Sequence, residues 1–144
     1  MYPKLVKNEA QVLSTDSAYI ISMNPYYNIE DLIFSFYNSL TLSFAELNGR
    51  YYGGGVLELT PNEFKNLPVP YLHVNEEIFK SFIKDFKDKT SIKDICRKND
   101  TVILKSIDKN LDSGTIEKLY LRRIKQISLS DPLPKVQTLR STNS

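Results

Sequence analysis

The sequence has very few of the residues that disulfides, metal sites and nucleophilic catalysis need. Its 144 residues include one cysteine, Cys96, one histidine, His73, and no tryptophan. A single cysteine cannot form an internal disulfide, and no second His or Cys stands at the spacing of a zinc site. A catalytic Cys96–His73 pair lacks the motif context of such pairs. We therefore expect a reduced, half-buried thiol, and we predict no catalytic or metal-binding residues in this chain.

Long apolar runs and a large net charge are also absent. No segment approaches the roughly 20 apolar residues of a membrane span, and the N-terminus lacks the basic-then-apolar pattern of a signal peptide. We expect a cytoplasmic protein with no membrane partner. The formal net charge is +2, with acidic residues in excess before residue 61 and basic residues in excess after it. This distribution permits contact with nucleic acid without requiring it.

The first half of the chain predicts a small β-sheet packed against a long helix. Leu5 and Val6 begin one β-prone stretch and residues 18–21 form another, separated by polar turn residues. Apolar residues recur every three or four positions over 29–48, which predicts one helix with a buried face. Asn28 is its expected cap, with Asp31 completing a capping-box-like arrangement, and Gly49 is expected to close it in a left-handed conformation. Residues 56–59, "VLEL", predict another strand.

The second half predicts mainly helices, which makes the fold class α+β. Three helix starts follow from capping residues, namely Thr60 (with Pro61 and Glu63), Asn75, and Ser91 (with Asp94). The helix after Ser91 is expected to end near Arg97. Residues 101–111 are ambiguous between strand and helix, and the spacing of Ile107 and Leu111 favours helix. The last helix is predicted over 114–127. Residues 1–129 form the predicted domain, and 130–144 carry too few large apolar groups to order themselves.

Three consecutive glycines form the most distinctive local feature. Gly53, Gly54 and Gly55 lie between "RYY" and "VLEL". Without Cβ atoms they can adopt positive φ and expose their amides to a phosphate or a base edge. Arg50, Tyr51 and Tyr52 stand beside them, with side chains that bind phosphates and stack on bases. A simple turn between a helix and a strand remains the alternative. The P-loop and dinucleotide-binding spacings are absent.

Two further features have less specific interpretations. "NPYY", residues 24–27, is similar to the Asn-Pro-Pro-Tyr motif of amino-group DNA methyltransferases. Only 23 residues precede it, too few for the cofactor-binding unit expected upstream, so we interpret it as a look-alike loop. The last predicted helix has basic residues that face either a phosphate backbone or solvent: Lys118, Arg122, Arg123 and Lys125.

Residues 38–70 carry a resemblance to a known family. The segment resembles the C-terminal part of bacterial adenine-specific DNA methyltransferases of restriction–modification systems. In that family an "NS" helix leads into E-x-x-GR-x-YGGGVLEL-x-P-x-E and then LP-x-P. The matching residues here are Asn38, Ser39, Glu46, Gly49, Arg50, Tyr52, Gly53, Gly54, Gly55, Val56, Leu57, Glu58, Leu59, Pro61, Glu63, Leu67, Pro68 and Pro70. Residues 7–19, "KNEAQVLSTDSAY", also resemble the family's "LNEAGVLSTDTIY". In broader outline the region is similar to target-recognition domains of type I restriction specificity subunits.

The resemblance implies a module that recognises double-stranded DNA. The residues expected to contact DNA are Arg50, Tyr51, Tyr52, Gly53, Gly54, Gly55, Glu58, Ser14, Thr15, Asp16 and Lys65. The S-adenosylmethionine-binding glycine motif is missing, so methyl transfer and its cofactor are expected in a separate N-terminal catalytic domain. The chain is then either a fragment of a larger enzyme or a stand-alone remnant. The alternative function is a protein-interaction module that docks a catalytic methyltransferase subunit.

Overall fold

Residues 2–11, 13, 18–52 and 56–130 are described in the computed structural model. Within them the chain forms a two-stranded antiparallel sheet and six helices, so the fold is mixed and mostly helical, which confirms the α+β prediction. In chain order the elements are α1 (Ile29–Phe36), α2 (Ser39–Asn48), β1 (Arg50–Tyr52), β2 (Val56–Glu58), α3 (Pro61–Lys65), α4 (Glu76–Lys87), α5 (Ile92–Ile107) and α6 (Ser113–Ser130).

The single long helix predicted over 29–48 is wrong, because the backbone breaks between α1 and α2. Asn38 causes the break by capping α2: its Oδ1 accepts from the N–H of Thr41 at 2.9 Å. The side-chain amide of Asn38 donates to the carbonyl of Ser35 at 2.6 Å and to Thr41 Oγ1 at 2.9 Å. A short polar side chain that bonds nearby backbone competes with the helical pattern. The apolar period continues through the break, which is why the sequence pattern did not reveal it.

Side chains of helix α5 bind the backbone at this break. Asp100 Oδ1 accepts from the backbone N–H of Ser39 at 2.7 Å, and Asn99 Nδ2 donates to the carbonyl of Tyr37 at 3.0 Å. Asp100 and Asn99 are both buried. The predicted helix end near Arg97 is therefore wrong, since Asn99 and Asp100 are directed inward and α5 continues to Ile107. Residues 101–107 are helical.

The core is built around Tyr37. Its ring lies 5.1 Å from that of Phe86, 5.3 Å from Phe36 and 5.6 Å from Phe82 between centroids. Burial raises the pKa of Tyr37 to about 12. Its hydroxyl accepts from the N–H of Leu5, and its O–H donates to the carbonyl of the same residue, both at 3.0 Å, which ties the N-terminal segment to the core.

Several burial predictions require correction. Phe44 and Leu47, expected on the buried face of the long helix, are 40% and 66% exposed, because α2 presents a different face after the break. Cys96, expected to be half-buried, is fully buried.

The two N-terminal strands predicted at Leu5–Val6 and at 18–21 are wrong, since both stretches are in neither helix nor strand. Among the described residues, only β1 and β2 are paired in a sheet. At the other end, α6 continues to Ser130, beyond the predicted end at 127. Residues 131–144 lie outside the described residues, and the disordered tail stays a prediction.

Candidate nucleic-acid interface

The predicted DNA-contact region centres on the β1–β2 hairpin. The strands pair in antiparallel register, with Tyr51 opposite Leu57 and Tyr52 opposite Val56. Residues 53–55 connect the strands after that last pair. Gly53, Gly54 and Gly55 lie outside the described residues, as do Ser14, Thr15 and Asp16, so their contact with DNA stays a prediction.

Gly49 fixes the base of the hairpin against α2. Its φ is −73° and its ψ is 162°, so the predicted left-handed closure is wrong. A Cβ at this position would lie 2.5 Å from Leu57 Cδ1, 2.8 Å from the carbonyl oxygen of Ala45 and 3.0 Å from that of Glu58. Two of these three atoms are backbone atoms, which cannot give way as a flexible side chain does. Glycine is required here because α2 and β2 come too close to leave room for a Cβ atom. It is not required for a positive φ.

Arg50 begins β1 beside this contact and extends a largely exposed side chain. Its side chain is 67% exposed, and its Nε lies 3.3 Å from Glu63 Oε1. The same Glu63 caps α3, since its Oε2 accepts from the N–H of Thr60 at 2.7 Å while Thr60 Oγ1 accepts from the N–H of Glu63. The hydrogen bonds from Thr60, with the nearby Arg50 charge, lower the pKa of Glu63. One carboxylate therefore joins the helix start to the hairpin arginine.

The other predicted contact residues lie on the same hairpin or on α3. Tyr51 is 40% exposed and its strand partner Leu57 is buried. Tyr52 occupies the last position of β1, but its side chain is outside the described residues. Glu58 pairs with Arg50 across the strands and accepts from the hydroxyl of Tyr19 at 3.3 Å. Lys65 is exposed in the last turn of α3.

A shallow depression next to Glu63 was not anticipated from the sequence. It has a volume of about 590 Å³ and is lined by Phe44, Asn48, Glu63, Asn66 and Pro68. Phe44 was expected inside the core, and only the break between α1 and α2 turns it towards this surface. The one local signal for that turn is the capping residue Asn38, and the unbroken apolar period over 29–48 concealed it.

A second polar cluster, centred on Asp31, was also missed. Its carboxylate accepts from the N–H of Val74 at 3.0 Å, from the hydroxyl of Tyr71 at 3.0 Å, and lies 2.8 Å from Nδ1 of the exposed His73. Burial raises the pKa of Asp31, but the bonds from Val74, His73 and Tyr71 outweigh it and hold that pKa below its ordinary value. Asp31 therefore fixes the 71–74 loop and does not complete the capping box predicted with Asn28.

The described residues include neither a metal-binding group of side chains nor a membrane-spanning helix. Among them, no three His, Cys, Asp or Glu side chains are grouped so that they could hold a metal ion. Within the same ranges, every helix is too short or too polar to cross a membrane.

Comparison with known proteins gives the class of this protein first: it belongs to a family of C-terminal domains of type II methyltransferases. The family model for the C-terminal domain of the type II methyltransferase M.Eco57I matches residues 1–104. This match covers more than half of the chain, and the chain belongs to that family. It spans the hairpin and most of α5, and it confirms the predicted resemblance. Searches of curated proteins and of solved structures each give no match.

Proposed function

We propose that this chain is the DNA-recognition part of an adenine-specific methyltransferase, and that S-adenosylmethionine binds in a separate catalytic region. The observation that supports the proposal is the exposed guanidinium of Arg50 at the base of a surface hairpin. The hairpin lies inside the segment that the family match covers. Adenine specificity is proposed from the resemblance of residues 38–70 to enzymes of that class.

The pairing of Arg50 with Glu63 leaves the guanidinium available to DNA. Ion pairs at the protein surface contribute about 0–1 kcal/mol, because solvent screens them. A guanidinium has five N–H donors, and its Nε lies 3.3 Å from Glu63 Oε1. A phosphate or a guanine O6/N7 edge accepts two N–H groups in a bidentate geometry. Binding to DNA therefore competes with a weak contact.

Glu58 adds an acceptor to the same face of the hairpin. Residues directly opposite each other in an antiparallel pair project to the same side, so the side chains of Arg50 and Glu58 are neighbours. Carboxylates accept from the N4 amino group of cytosine. A donor and an acceptor side by side suit the edges of base pairs better than they suit phosphates alone. The glycine amides of 53–55 would then approach the backbone of the duplex.

A substitution of Arg50 tests this function. DNA duplexes enriched from a random library by the wild-type chain serve as the probe, and affinity is measured by fluorescence anisotropy. Arg50→Ala should lose about 1–3 kcal/mol of binding free energy and relax sequence preference at one position. Arg97→Ala is the matched control, since Arg97 is similarly exposed and similarly paired, with Glu117 at 3.2 Å. Unchanged affinity and preference in Arg50→Ala would contradict the proposal.

The depression beside Glu63 favours a second candidate, a module that docks a catalytic methyltransferase subunit. Phe44 exposes apolar surface there, which is typical of protein contacts. Under this alternative, Phe44→Ser abolishes association with the catalytic subunit, and neither Phe44→Ser nor Arg50→Ala changes DNA affinity. Under the DNA-recognition proposal, Arg50→Ala lowers DNA affinity and Phe44→Ser leaves it unchanged.

A further inference from the structure

Arg50 and Glu58 project together from the outer face of the β1–β2 hairpin. Glu58 follows the buried Leu57 in β2, and successive side chains of a strand point to opposite faces, so Glu58 points away from the core. Arg50 is the cross-strand partner of Glu58 and projects to the same side, where the two Cβ atoms of such a pair lie about 5 Å apart. One face of the hairpin thus presents a guanidinium beside a carboxylate.

The charges around Arg50 favour a base edge over a phosphate. Two carboxylates lie near this one guanidinium: Glu63, whose Oε1 is 3.3 Å from Nε, and the cross-strand neighbour Glu58. A phosphate that approached Arg50 would meet both negative charges, and like charges repel. A base edge carries no net charge and offers donors as well as acceptors. Both Arg50 and Glu58 can therefore bind a base edge, whereas only Arg50 can bind a phosphate.

Tyr19 orients the carboxylate of Glu58 from outside the hairpin. Its hydroxyl donates to Glu58 Oε1 at 3.3 Å, although the two residues are 39 positions apart. An ionised carboxylate can accept about four hydrogen bonds through its two oxygens, so this contact leaves acceptor capacity for a ligand. A side chain that is already held in place loses less conformational entropy when it binds.

The order of donors and acceptors identifies the base pair that fits this face. Bidentate binding by an arginine uses two donors, and the carboxylate beside it supplies an acceptor. In the major groove a G·C pair presents two adjacent acceptors, guanine N7 and O6, followed by one donor, the cytosine N4 amino group. An A·T pair presents its donor between two acceptors, so an arginine finds no adjacent acceptors there. The two side chains therefore match a G·C pair and not an A·T pair.

We propose that Arg50 and Glu58 recognise one G·C base pair from the major groove, with Arg50 on guanine N7 and O6 and Glu58 on cytosine N4. The major groove admits a two-stranded β-ribbon, which is the form of the β1–β2 hairpin. Tyr19 is a positioning residue, since it acts through Glu58. This inference rests on the proposed function and adds to it the base pair that the hairpin recognises.

Modified bases test the arginine contact without altering the protein. Duplexes enriched from a random library by the full wild-type chain should have one position fixed as G·C. At that position 7-deazaguanine, which lacks N7, should weaken wild-type binding by about fivefold and leave the binding of Arg50→Ala unchanged. Inosine is the matched control, because it keeps N7 and O6 and lacks only the amino group in the minor groove. Its affinity should equal that of guanine.

Substitutions in the protein test whether both residues recognise the same base pair. Glu58→Ala should reduce the preference for G·C at that position by about tenfold, mainly because the other duplexes bind more tightly once the negative charge is removed. Tyr19→Phe should reduce the preference at the same position by a smaller factor. Glu77→Ala is the control for charge, since Glu77 is exposed in the first turn of α4, and its base preference should equal that of wild type.

The outcomes distinguish this inference from DNA recognition itself. A wild-type chain that enriches no DNA sequence contradicts both. If Arg50→Ala relaxes a position that is not G·C, or if Glu58→Ala leaves the preference at the Arg50-dependent position unchanged, the G·C assignment is overturned and DNA recognition by the hairpin stands. Loss of preference at the same G·C pair in Arg50→Ala and in Glu58→Ala supports the assignment.

Discussion

The backbone N–H of Ser39 donates to Asp100 Oδ1 at 2.7 Å, although the two residues are 61 positions apart. This N–H belongs to the first turn of α2, where a helix has donors without intrahelical acceptors. Asn38 satisfies a second donor of that turn, the N–H of Thr41. A carboxylate at the start of a helix also interacts favourably with the helix dipole. The break between α1 and α2 is therefore stabilised from a helix much later in the chain.

Removing this carboxylate should destabilise the whole fold. Asp100→Ala leaves the buried N–H of Ser39 without its acceptor, which costs about 1–3 kcal/mol. Asp100→Asn keeps an acceptor oxygen and should lose less. Urea unfolding followed by circular dichroism measures both, with the exposed Asp88→Ala as a control expected within about 0.5 kcal/mol of wild type. Equal stability of Asp100→Ala and wild type would show that the contact contributes nothing.

Two glycines should respond oppositely to alanine. Gly49→Ala places a Cβ against backbone oxygens of Ala45 and Glu58, so the hairpin must shift, at a cost of about 1–3 kcal/mol. In Gly114→Ala the Cβ meets only the side chain of Asp112, and alanine is the better helix former by about 1 kcal/mol. Thermal unfolding of the two variants should therefore show a lower midpoint for Gly49→Ala and an equal or higher one for Gly114→Ala. The reverse order of unfolding midpoints would contradict the close approach of Gly49 to the backbone of Ala45 and Glu58.

The contribution of Asp31 should depend on pH. Its pKa is held below the unfolded value of 3.8, so the unfolded state binds the proton more readily. The ionised form therefore stabilises the fold above pH 3.8, and that stabilisation is lost as the pH falls through the lower folded pKa. Asp31→Asn should be less stable than wild type by about 2 kcal/mol at neutral pH, since bonds to the charged group are lost.

Urea unfolding of Asp31→Asn and wild type at a series of pH values checks this. The difference between them should shrink progressively in acid below the unfolded pKa. A difference that is constant with pH would mean that the charge of Asp31 does not contribute.

Neutralising Glu63 should strengthen DNA binding if Arg50 contacts DNA. Glu63→Gln keeps a side-chain oxygen that accepts from Thr60, and it removes the charge that competes for the guanidinium. Affinity for the enriched duplex should rise several-fold at low salt, because phosphate contacts are strongest there. The gain should disappear in the Arg50→Ala background, which a double-mutant cycle measures directly. A gain that persists without Arg50 would show a general charge effect.

Local signals in the sequence predicted the helix starts well. Thr60, Asn75 and Ser91 each accept from a backbone N–H of the helix that follows, as their sequence positions indicated. Such caps depend on residues within three positions of each other, so they can be recognised from the sequence alone. The helix break also has a local cap, Asn38, but the apolar period that continues over 29–48 predicted one helix instead. The continuation of α5 past Arg97 depends on contacts of Asn99 and Asp100 with distant residues, and periodicity alone does not reveal it.

The candidate site was only partly predictable for the same reason. The resemblance placed Arg50 and Glu58 together, and the strand register has them opposite each other. The pairing of Arg50 with Glu63 was not anticipated, because Glu63 was assigned only to the cap of α3. The depression at Phe44 was missed because it exists only once α2 has turned away from α1.

The hydrogen bond from Ser39 to Asp100 has a consequence for the order of events during translation. Residues 37–39 leave the ribosome well before their partners on α5 have been synthesised. Until Asp100 emerges, the first turn of α2 has no carboxylate to receive the N–H of Ser39, and the angle between α1 and α2 is not yet fixed by α5. The hairpin of the nascent chain therefore acquires its final orientation only after α5 has been synthesised.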